Sequence, residues 1–302
     1  MSHPTERILW AIDPFAEKQL QMKTLDTIKN FTRGVSSSIE PISILSPDQL
    51  RLPIQAFNAE SPSFRLKAED ILQKWMKQVK VPGLKPFTLL VSDKYSLRST
   101  ADLLMTYAKD SNASLIALST HARKGVARVL AGSFAETLLL HSSTPLLVVN
   151  PMIKTSKITK ILFPTDMSAS SEQAFQKVVT IASHLKAKVF LYHKVEYVIP
   201  DTYSVFTHHK AYEEYLEKDL ESREEELKTW VSKASTKGVK AELIFDKRPS
   251  FVTQGVLKAV KQTKSEMVAL CSHTGSIGTM MLGSVTRQIL REAKCPVWTV
   301  HV

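Results

Sequence analysis

The chain has 302 residues, of which 43% are hydrophobic and 23% charged, a composition typical of a globular protein and too apolar for a mainly disordered one. Because domains average about 150 residues, this length predicts two domains. The net charge of +11 comes from lysines that are interleaved with acids along helix faces, which disfavours nucleic acid as a partner.

The first half of the chain alternates between short apolar runs, typical of buried strands, and amphipathic segments with helical spacing. Strands are predicted at 7–12, 40–46, 86–91, 114–119 and 145–149. Helices are predicted at 15–31, 61–80, 96–109 and from Ser133 onward. Nearly continuous apolar strands between amphipathic helices indicate a parallel sheet covered on both faces.

The second half repeats this order. Strands are predicted at 160–164, 188–195, 241–246, 266–271 and 296–300, with a long helix at about 209–234. Four pairs of matching residues lie 151 to 153 residues apart, and they are Asp13 with Asp166, His121 with His273, Ser133 with Ser284, and Pro145 with Pro296. Such agreement across most of a domain indicates a duplication.

Each copy is therefore expected to be a doubly wound α/β domain with a five-stranded parallel sheet. Residues 150–159 contain Pro151 and several polar side chains, as a linker would. We place the two domains at 1–151 and 157–302.

Ligands of open α/β sheets bind beyond the carboxyl ends of the strands, where the strand order reverses. Gly132-Ser133 and Gly283-Ser284 each precede a predicted helix in the loop after strand four. Free amides and the positive end of the helix dipole would suit a phosphate there. For Ser133 a plain helix cap remains an equal alternative, because Glu136 completes a capping box.

Asp13 and Asp166 each follow strand one of their copy. A carboxylate there could accept hydrogen bonds from ribose hydroxyls or an adenine amine. The alternative is again capping, because Asp13-Pro14 is typical of a helix start. His121 and His273 occupy matching places in the loop after strand four, where a structural role is expected.

These loops resemble those of the universal stress protein family, whose ATP-binding members carry an aspartate after strand one and a G-x2-G-x9-G-S/T loop. In the first copy the loop reads Ser119-x2-Ala122-x9-Gly132-Ser133. In the second copy it reads Cys271-x2-Thr274-x8-Gly283-Ser284, one residue shorter. The resemblance covers both halves of the chain, and it implies two Rossmann-like domains of the adenine nucleotide alpha hydrolase type.

The resemblance further implies an adenine nucleotide as ligand, ATP or else AMP or ADP, with Mg²⁺ only alongside a bound nucleotide. The residues expected to contact it are Asp13, Ser119, His121, Ala122, Gly132 and Ser133 in the first copy, and Pro164, Thr165, Asp166, Cys271, His273, Thr274, Gly283, Ser284, Val285 and Thr286 in the second. Arg123, Lys124 and Arg128 favour the first copy by charge, whereas glycine content favours the second.

We expect a stress-response regulator or switch rather than a dedicated enzyme. The phosphate-binding loop G-x4-G-K-S/T and the nucleophile elbow G-x-S-x-G are both absent from the sequence. Slow ATP hydrolysis stays compatible with the resemblance. The alternative is a protein-interaction scaffold whose loops no longer hold nucleotide, with partners that the sequence does not name.

Family members commonly pair through their last strands. In this duplicated chain, 145–149 would run antiparallel to 296–300 and make an internal pseudo-dimer, with a further homodimer left open. The longest apolar runs are far shorter than the roughly 20 residues that span a bilayer, and the start lacks the pattern of a secretory signal. We therefore expect a cytoplasmic protein, with Cys271 and Cys295 as free thiols.

Overall fold

The computed structural model describes residues 5–120, 133–151, 153, 157–195, 209–272 and 279–302. The strands are β1 (Glu6–Ala11), β2 (Ser37–Leu45), β3 (Thr88–Val91), β4 (Leu115–Ser119), β5 (Leu146–Val149), β6 (Lys160–Thr165), β7 (Lys188–Lys194), β8 (Ala241–Asp246), β9 (Met267–Ser272) and β10 (Val297–His301). The helices are α1 (Lys18–Phe31), α2 (Pro47–Leu50), α3 (Ile54–Met76), α4 (Leu97–Asp110), α5 (Ser133–His141), α6 (Ala169–Leu185), α7 (His209–Thr236), α8 (Val252–Thr263) and α9 (Thr279–Glu292).

All of these strands belong to one ten-stranded sheet of order β3-β2-β1-β4-β5-β10-β9-β6-β7-β8. Within each copy the neighbouring strands are parallel, and the order reverses between β1 and β4 and again between β6 and β9. The predicted doubly wound, five-stranded architecture is thus confirmed. Each reversal opens a crevice at the carboxyl ends of the strands.

Helices cover both faces of the sheet. One face packs apolar side chains of α1, α3, α6 and α7 against the strands, and its core includes Phe31, Phe175 and Trp230. The other face is covered by α4, α5, α8 and α9. Because both faces are buried, the strands carry apolar residues in succession rather than in alternation. Among the described residues, none of the helices combines the length and apolarity needed to cross a membrane.

The two copies join through their last strands. β5 and β10 run antiparallel, with Leu147 opposite Trp298, and Leu146 donates its backbone N–H to the Thr299 hydroxyl at 2.9 Å. The Trp298 ring meets Phe31 of α1 edge-on, with centroids 5.1 Å apart. The predicted internal pseudo-dimer is therefore confirmed. We call the contact between β5 and β10 the seam, and its residues Leu147 and Trp298 belong to the same hydrophobic core as Phe31.

Helix α3 is longer at its start than the sequence predicts, beginning at Ile54 rather than at 61. Pro62 lies inside it and has no N–H to donate to the carbonyl of Asn58. The Ser61 hydroxyl donates to that carbonyl instead, at 3.4 Å. Pro62 is thus accommodated in the third turn of the helix.

Candidate functional site

A cleft opens in the first copy where the strand order reverses, at the carboxyl ends of β1, β2 and β4. Its free volume is about 40 Å³, well below the roughly 300–1,000 Å³ of typical small-molecule sites, and residues 121–132, which follow β4, lie outside the described residues. Its walls are mostly apolar with a few polar groups, and they consist of Ala11, Ile12, Asp13, Gln21, Ile42, Ile44, Leu104, Leu118, Ser119 and Phe134. Two residues singled out from the sequence, Asp13 and Ser119, are thus brought together.

Asp13 does not cap a helix, because α1 begins at Lys18, five residues further on. The capping interpretation of Asp13-Pro14 is therefore wrong. Asp13 instead closes a tight turn, in which its Oδ1 accepts a hydrogen bond from the backbone N–H of Phe15 at 2.9 Å. This turn is an Asx turn, and it holds the carboxylate at the rim of the cleft.

Gln21, which the sequence analysis missed, reaches the cleft from α1. Its side chain is only 1% exposed, and its Nε2 donates to the Ser119 hydroxyl at 3.4 Å. Among the described residues, no donor lies within hydrogen-bond distance of its Oε1. A buried amide oxygen left without a donor costs roughly 1–3 kcal/mol.

Helix α5 begins at Ser133, beside the cleft wall formed by Phe134. Its first turn therefore directs backbone N–H groups and the positive end of the dipole toward this side of the cleft. The Glu136 carboxylate is engaged across the pseudo-dimer seam, where Oε1 accepts from Arg291 Nε at 2.9 Å and from Nη2 at 2.5 Å. The Glu136 carboxylate that a capping box at Ser133 would need is therefore engaged in an ion pair between the copies.

In the second copy the matching aspartate serves the start of a helix. Asp166 Oδ1 accepts from the Ser168 backbone N–H at 3.0 Å and from the Ser171 hydroxyl at 2.5 Å. Ser168 is the N-cap of α6 and accepts from the Ser171 N–H. Burial raises the pKa of the nearby Cys271 thiol to about 11, so this cysteine is a neutral thiol at physiological pH.

The second copy also buries a polar cluster at the ends of β7 and β8. The Tyr192 hydroxyl donates to Asp246 Oδ2 at 2.9 Å, and Arg248 grips both carboxylate oxygens of Asp246 at 2.7 and 2.8 Å. Hydrogen bonds from Arg248 hold the pKa of the Asp246 carboxyl well below its usual range. The cluster is therefore charged at neutral pH. No motif in the sequence indicates any of these residues.

Helix α9 begins at Thr279, whereas the sequence predicted a start after Gly283-Ser284. This prediction of the helix start is wrong, because α9 already includes Gly283 and Ser284. Gly283 and Ser284 lie in the second turn, where backbone amides are engaged within the helix. The amides of this pair therefore do not form a helix start for a phosphate.

The remaining predicted residues fall into two groups. Pro164 and Thr165 end β6, while Val285 and Thr286 lie in α9, with Thr165 and Thr286 buried. His121, Ala122, Gly132, His273 and Thr274 lie outside the described residues. Within the described ranges, no cluster of three or more histidine, cysteine, aspartate or glutamate side chains could hold a metal ion.

Comparison with known proteins agrees with this architecture. The chain is similar over 99% of its length to 99% of a universal stress protein from Archaeoglobus fulgidus, at 15% identity and a TM-score of 0.72. It is similar over 99% of its length to 93% of a protein of unknown function from Pseudomonas aeruginosa, at 12% identity and a TM-score of 0.62. A universal stress protein from Archaeoglobus fulgidus in complex with dAMP matches 47% of the chain, over 97% of its own length, at 16% identity and a TM-score of 0.35.

No curated protein matches the chain significantly. The family model of the universal stress protein family matches it twice, over residues 5–150 and 157–301. The two matches coincide with the two halves of the ten-stranded sheet. The chain therefore belongs to the universal stress protein family, as a tandem member with two copies of the domain.

Proposed function

We propose that this protein binds an adenine nucleotide in the cleft of its first copy and acts as a regulator or switch rather than as a dedicated enzyme. The observation that carries the proposal is the cleft itself, open where the strand order reverses and lined by Gln21, whose buried amide oxygen has no hydrogen-bond partner among the described residues. A ligand that offers an N–H or O–H group would satisfy that oxygen.

The walls of the cleft suit the parts of a nucleotide. Ile42, Ile44 and Leu104 offer flat apolar contact for a base. Asp13 and Gln21 offer acceptors for ribose hydroxyls or the adenine amine, groups that can donate hydrogen bonds to such oxygens. The amino end of α5 provides positive partial charge for phosphates, and the adjoining loop carries Arg123, Lys124 and Arg128.

We propose ATP as the ligand, with AMP or ADP as the alternatives. Mg²⁺ would bind only together with the nucleotide. The site residues proposed from the sequence keep that role in the first copy, and Gln21 is added to them. We also propose that the protein works in the cytoplasm, that its domains extend over 1–151 and 157–302, and that nucleotide occupancy controls protein partners.

Removing either acceptor should weaken ATP binding. Asp13→Ala removes a hydrogen bond to a charged group, about 1.5–3 kcal/mol, so we expect the dissociation constant to rise roughly 10- to 150-fold. Gln21→Ala removes a neutral hydrogen bond and should raise the dissociation constant roughly 3- to 10-fold. Isothermal titration calorimetry with ATP measures both changes.

The matched control is Asp166→Ala, the same substitution in the second copy, and it should leave ATP affinity unchanged within about twofold, the spread expected for a residue that makes no ligand contact. Equal ATP affinity in wild type, Asp13→Ala and Gln21→Ala would exclude the assigned acceptors.

The second candidate function is an interaction scaffold that holds no nucleotide. It is favoured by the burial of Tyr192, Lys194 and Asp246 at the strand ends of the second copy. Acid extraction of the freshly purified protein, followed by absorbance near 260 nm and chromatography, separates the two functions. Adenine nucleotide in the extract supports the first. An extract without nucleotide, together with no ATP binding in calorimetry, supports the scaffold.

A further inference from the structure

The register of the strands identifies what occupies the place of the cleft in the second copy. Ala11 of β1 pairs with Ile42 of β2, and the matching residue Pro164 of β6 pairs with Tyr192 of β7. Tyr192 therefore stands where the first copy has Ile42. Because side chains alternate along a strand, Lys194 stands two residues on, where the first copy has Ile44.

Tyr192 fills the space between β7 and α8. Its side chain is 1% exposed and belongs to the core on the α8 face of the sheet. A Cβ atom built on Gly255 of α8 would lie only 2.1 Å from the Tyr192 hydroxyl oxygen. The phenol thus rests directly on the backbone of α8, and glycine is the residue that makes room for it.

Lys194, the last residue of β7, lies at the carboxyl end of the same space. It is 7% exposed, and its ammonium donates to the carbonyl oxygens of Val195 at 3.1 Å, of Asp246 at 3.4 Å and of Arg248. All three ammonium protons therefore have acceptors on the backbone that ends β7 and β8. Withdrawing an ammonium that is so fully bonded is costly, because it would leave the three carbonyl oxygens without this donor.

Asp246 and Arg248 hold the tyrosine in place. The Asp246 carboxylate is buried, accepts from Tyr192 and is forked by the Arg248 guanidinium. It accepts as well from the Arg248 backbone N–H at 3.1 Å. Bidentate pairs of this kind fix geometry as well as supplying energy. We call Tyr192, Lys194, Asp246 and Arg248 the plug.

From these contacts we infer that the chain binds one nucleotide, in its first copy, and that the plug closes the equivalent space of the second copy. This inference rests on the proposed function. The sequence by itself leaves open whether one copy or both bind, because loop charge favours the first copy and glycine content favours the second. The difference between the copies arises because apolar isoleucines in the first copy are replaced by a tyrosine and a lysine that bond to their own strand ends.

Calorimetric stoichiometry tests the inference. Wild type should bind one ATP per chain. The double variant Ile42→Tyr with Ile44→Lys introduces the first two side chains of the plug into the first copy and should lower ATP affinity at least tenfold. The reciprocal variant, Tyr192→Ile with Lys194→Ile, should retain the affinity of the wild-type site within about twofold. Two ATP per chain in wild type would overturn the inference, as would full affinity in the first double variant.

Because a bulky double substitution could prevent folding, Asp13→Ala and Asp166→Ala provide a second comparison. Loss of the single ATP site in Asp13→Ala but not in Asp166→Ala places it in the first copy. Loss only in Asp166→Ala places it in the second copy and contradicts the plug. Circular dichroism of each variant confirms that the fold is present.

A measurement that uses no nucleotide tests the plug independently of the proposed nucleotide binding. Nitration with tetranitromethane, mapped by peptide mass spectrometry, should modify the exposed Tyr95 and Tyr215, at 56% and 67% exposure, and spare Tyr192. Asp246→Asn should make Tyr192 reactive. Nitration of Tyr192 in wild type as fast as Tyr215 would refute the plug even if ATP binds. Protection of Tyr192 without any ATP binding would leave the plug standing and remove the nucleotide.

Discussion

Trp298→Ala is expected to lower the free energy of unfolding by about 3–5 kcal/mol, the range for truncating a buried aromatic side chain. Trp298 is 6% exposed in β10, opposite Leu147 of β5 in the other copy. Its ring also meets Phe31 edge-on. The substitution therefore opens a cavity at the seam between the copies, and denaturation in urea followed by circular dichroism measures the loss.

A double-mutant cycle shows whether this loss includes contact between the copies. Combining Trp298→Ala with Phe31→Ala should reveal a coupling free energy of about 0.5–1.5 kcal/mol, the usual size for an aromatic pair. Tyr215→Ala on the exposed side of α7 is the matched control and should change stability by less than about 0.5 kcal/mol. Strict additivity of the two seam substitutions would mean that the rings do not stabilise the pseudo-dimer.

Glu40→Ala is expected to destabilise the protein by about 3 kcal/mol, near the lower end for breaking a buried ion pair. The carboxylate is 4% exposed. It accepts from Arg7 Nε at 3.0 Å, from the Thr88 hydroxyl at 2.8 Å and from the Tyr107 hydroxyl. Alanine leaves the two hydroxyl groups without their acceptor, whereas the Arg7 side chain, 38% exposed, can turn to solvent.

Glu40 should also make stability depend on pH. Burial opposes ionisation of this carboxyl, but hydrogen bonds from Tyr107, Arg7 and Thr88 outweigh it and hold its pKa below the usual value. A carboxyl with a lowered folded-state pKa stabilises the fold above its unfolded pKa of about 4.3 and loses that contribution as the pH falls further.

Glu40→Gln tests this link. The difference in free energy of unfolding between wild type and Glu40→Gln should be largest at neutral pH and shrink below about pH 4.3, where the wild-type carboxyl begins to protonate in the unfolded state. Denaturant titrations at a series of pH values measure it. A difference that stays constant from neutral to strongly acid pH would show that the charge of Glu40 does not contribute.

Sequence patterns predicted the elements better than their ends. The capping interpretation of Asp13-Pro14 and the expected helix start after Gly283-Ser284 are wrong, because α1 begins five residues after Asp13 and α9 already includes Gly283 and Ser284. The early start of α3 was also not predicted. There the Ser61 hydroxyl donates to the Asn58 carbonyl oxygen, which Pro62 has no N–H to reach.

Candidate site residues were predictable where they belong to a local motif, and not where they pair with residues distant in sequence. The aspartate at the end of strand one is recognisable from a motif that lies within a few residues of sequence. Gln21 and Ser119 meet across 98 residues, and Tyr192 meets Asp246 across 54. Both pairs combine side chains from different elements, and nothing in the local sequence indicates that their residues are neighbours.

The sequence by itself determined the duplication and the alternation of strands and helices, because hydrophobic spacing and repeats are properties of the chain read in order, whereas the pairing of the two copies through their last strands was implied by the family resemblance. Only the tertiary structure decided that the two copies differ at their strand ends, open beside Ile42 and Ile44 and filled by Tyr192 and Lys194. The physical reason is that the volume of a cleft and the partners of a buried charge depend on several elements packed together, and the distances between those elements exist only in the folded protein.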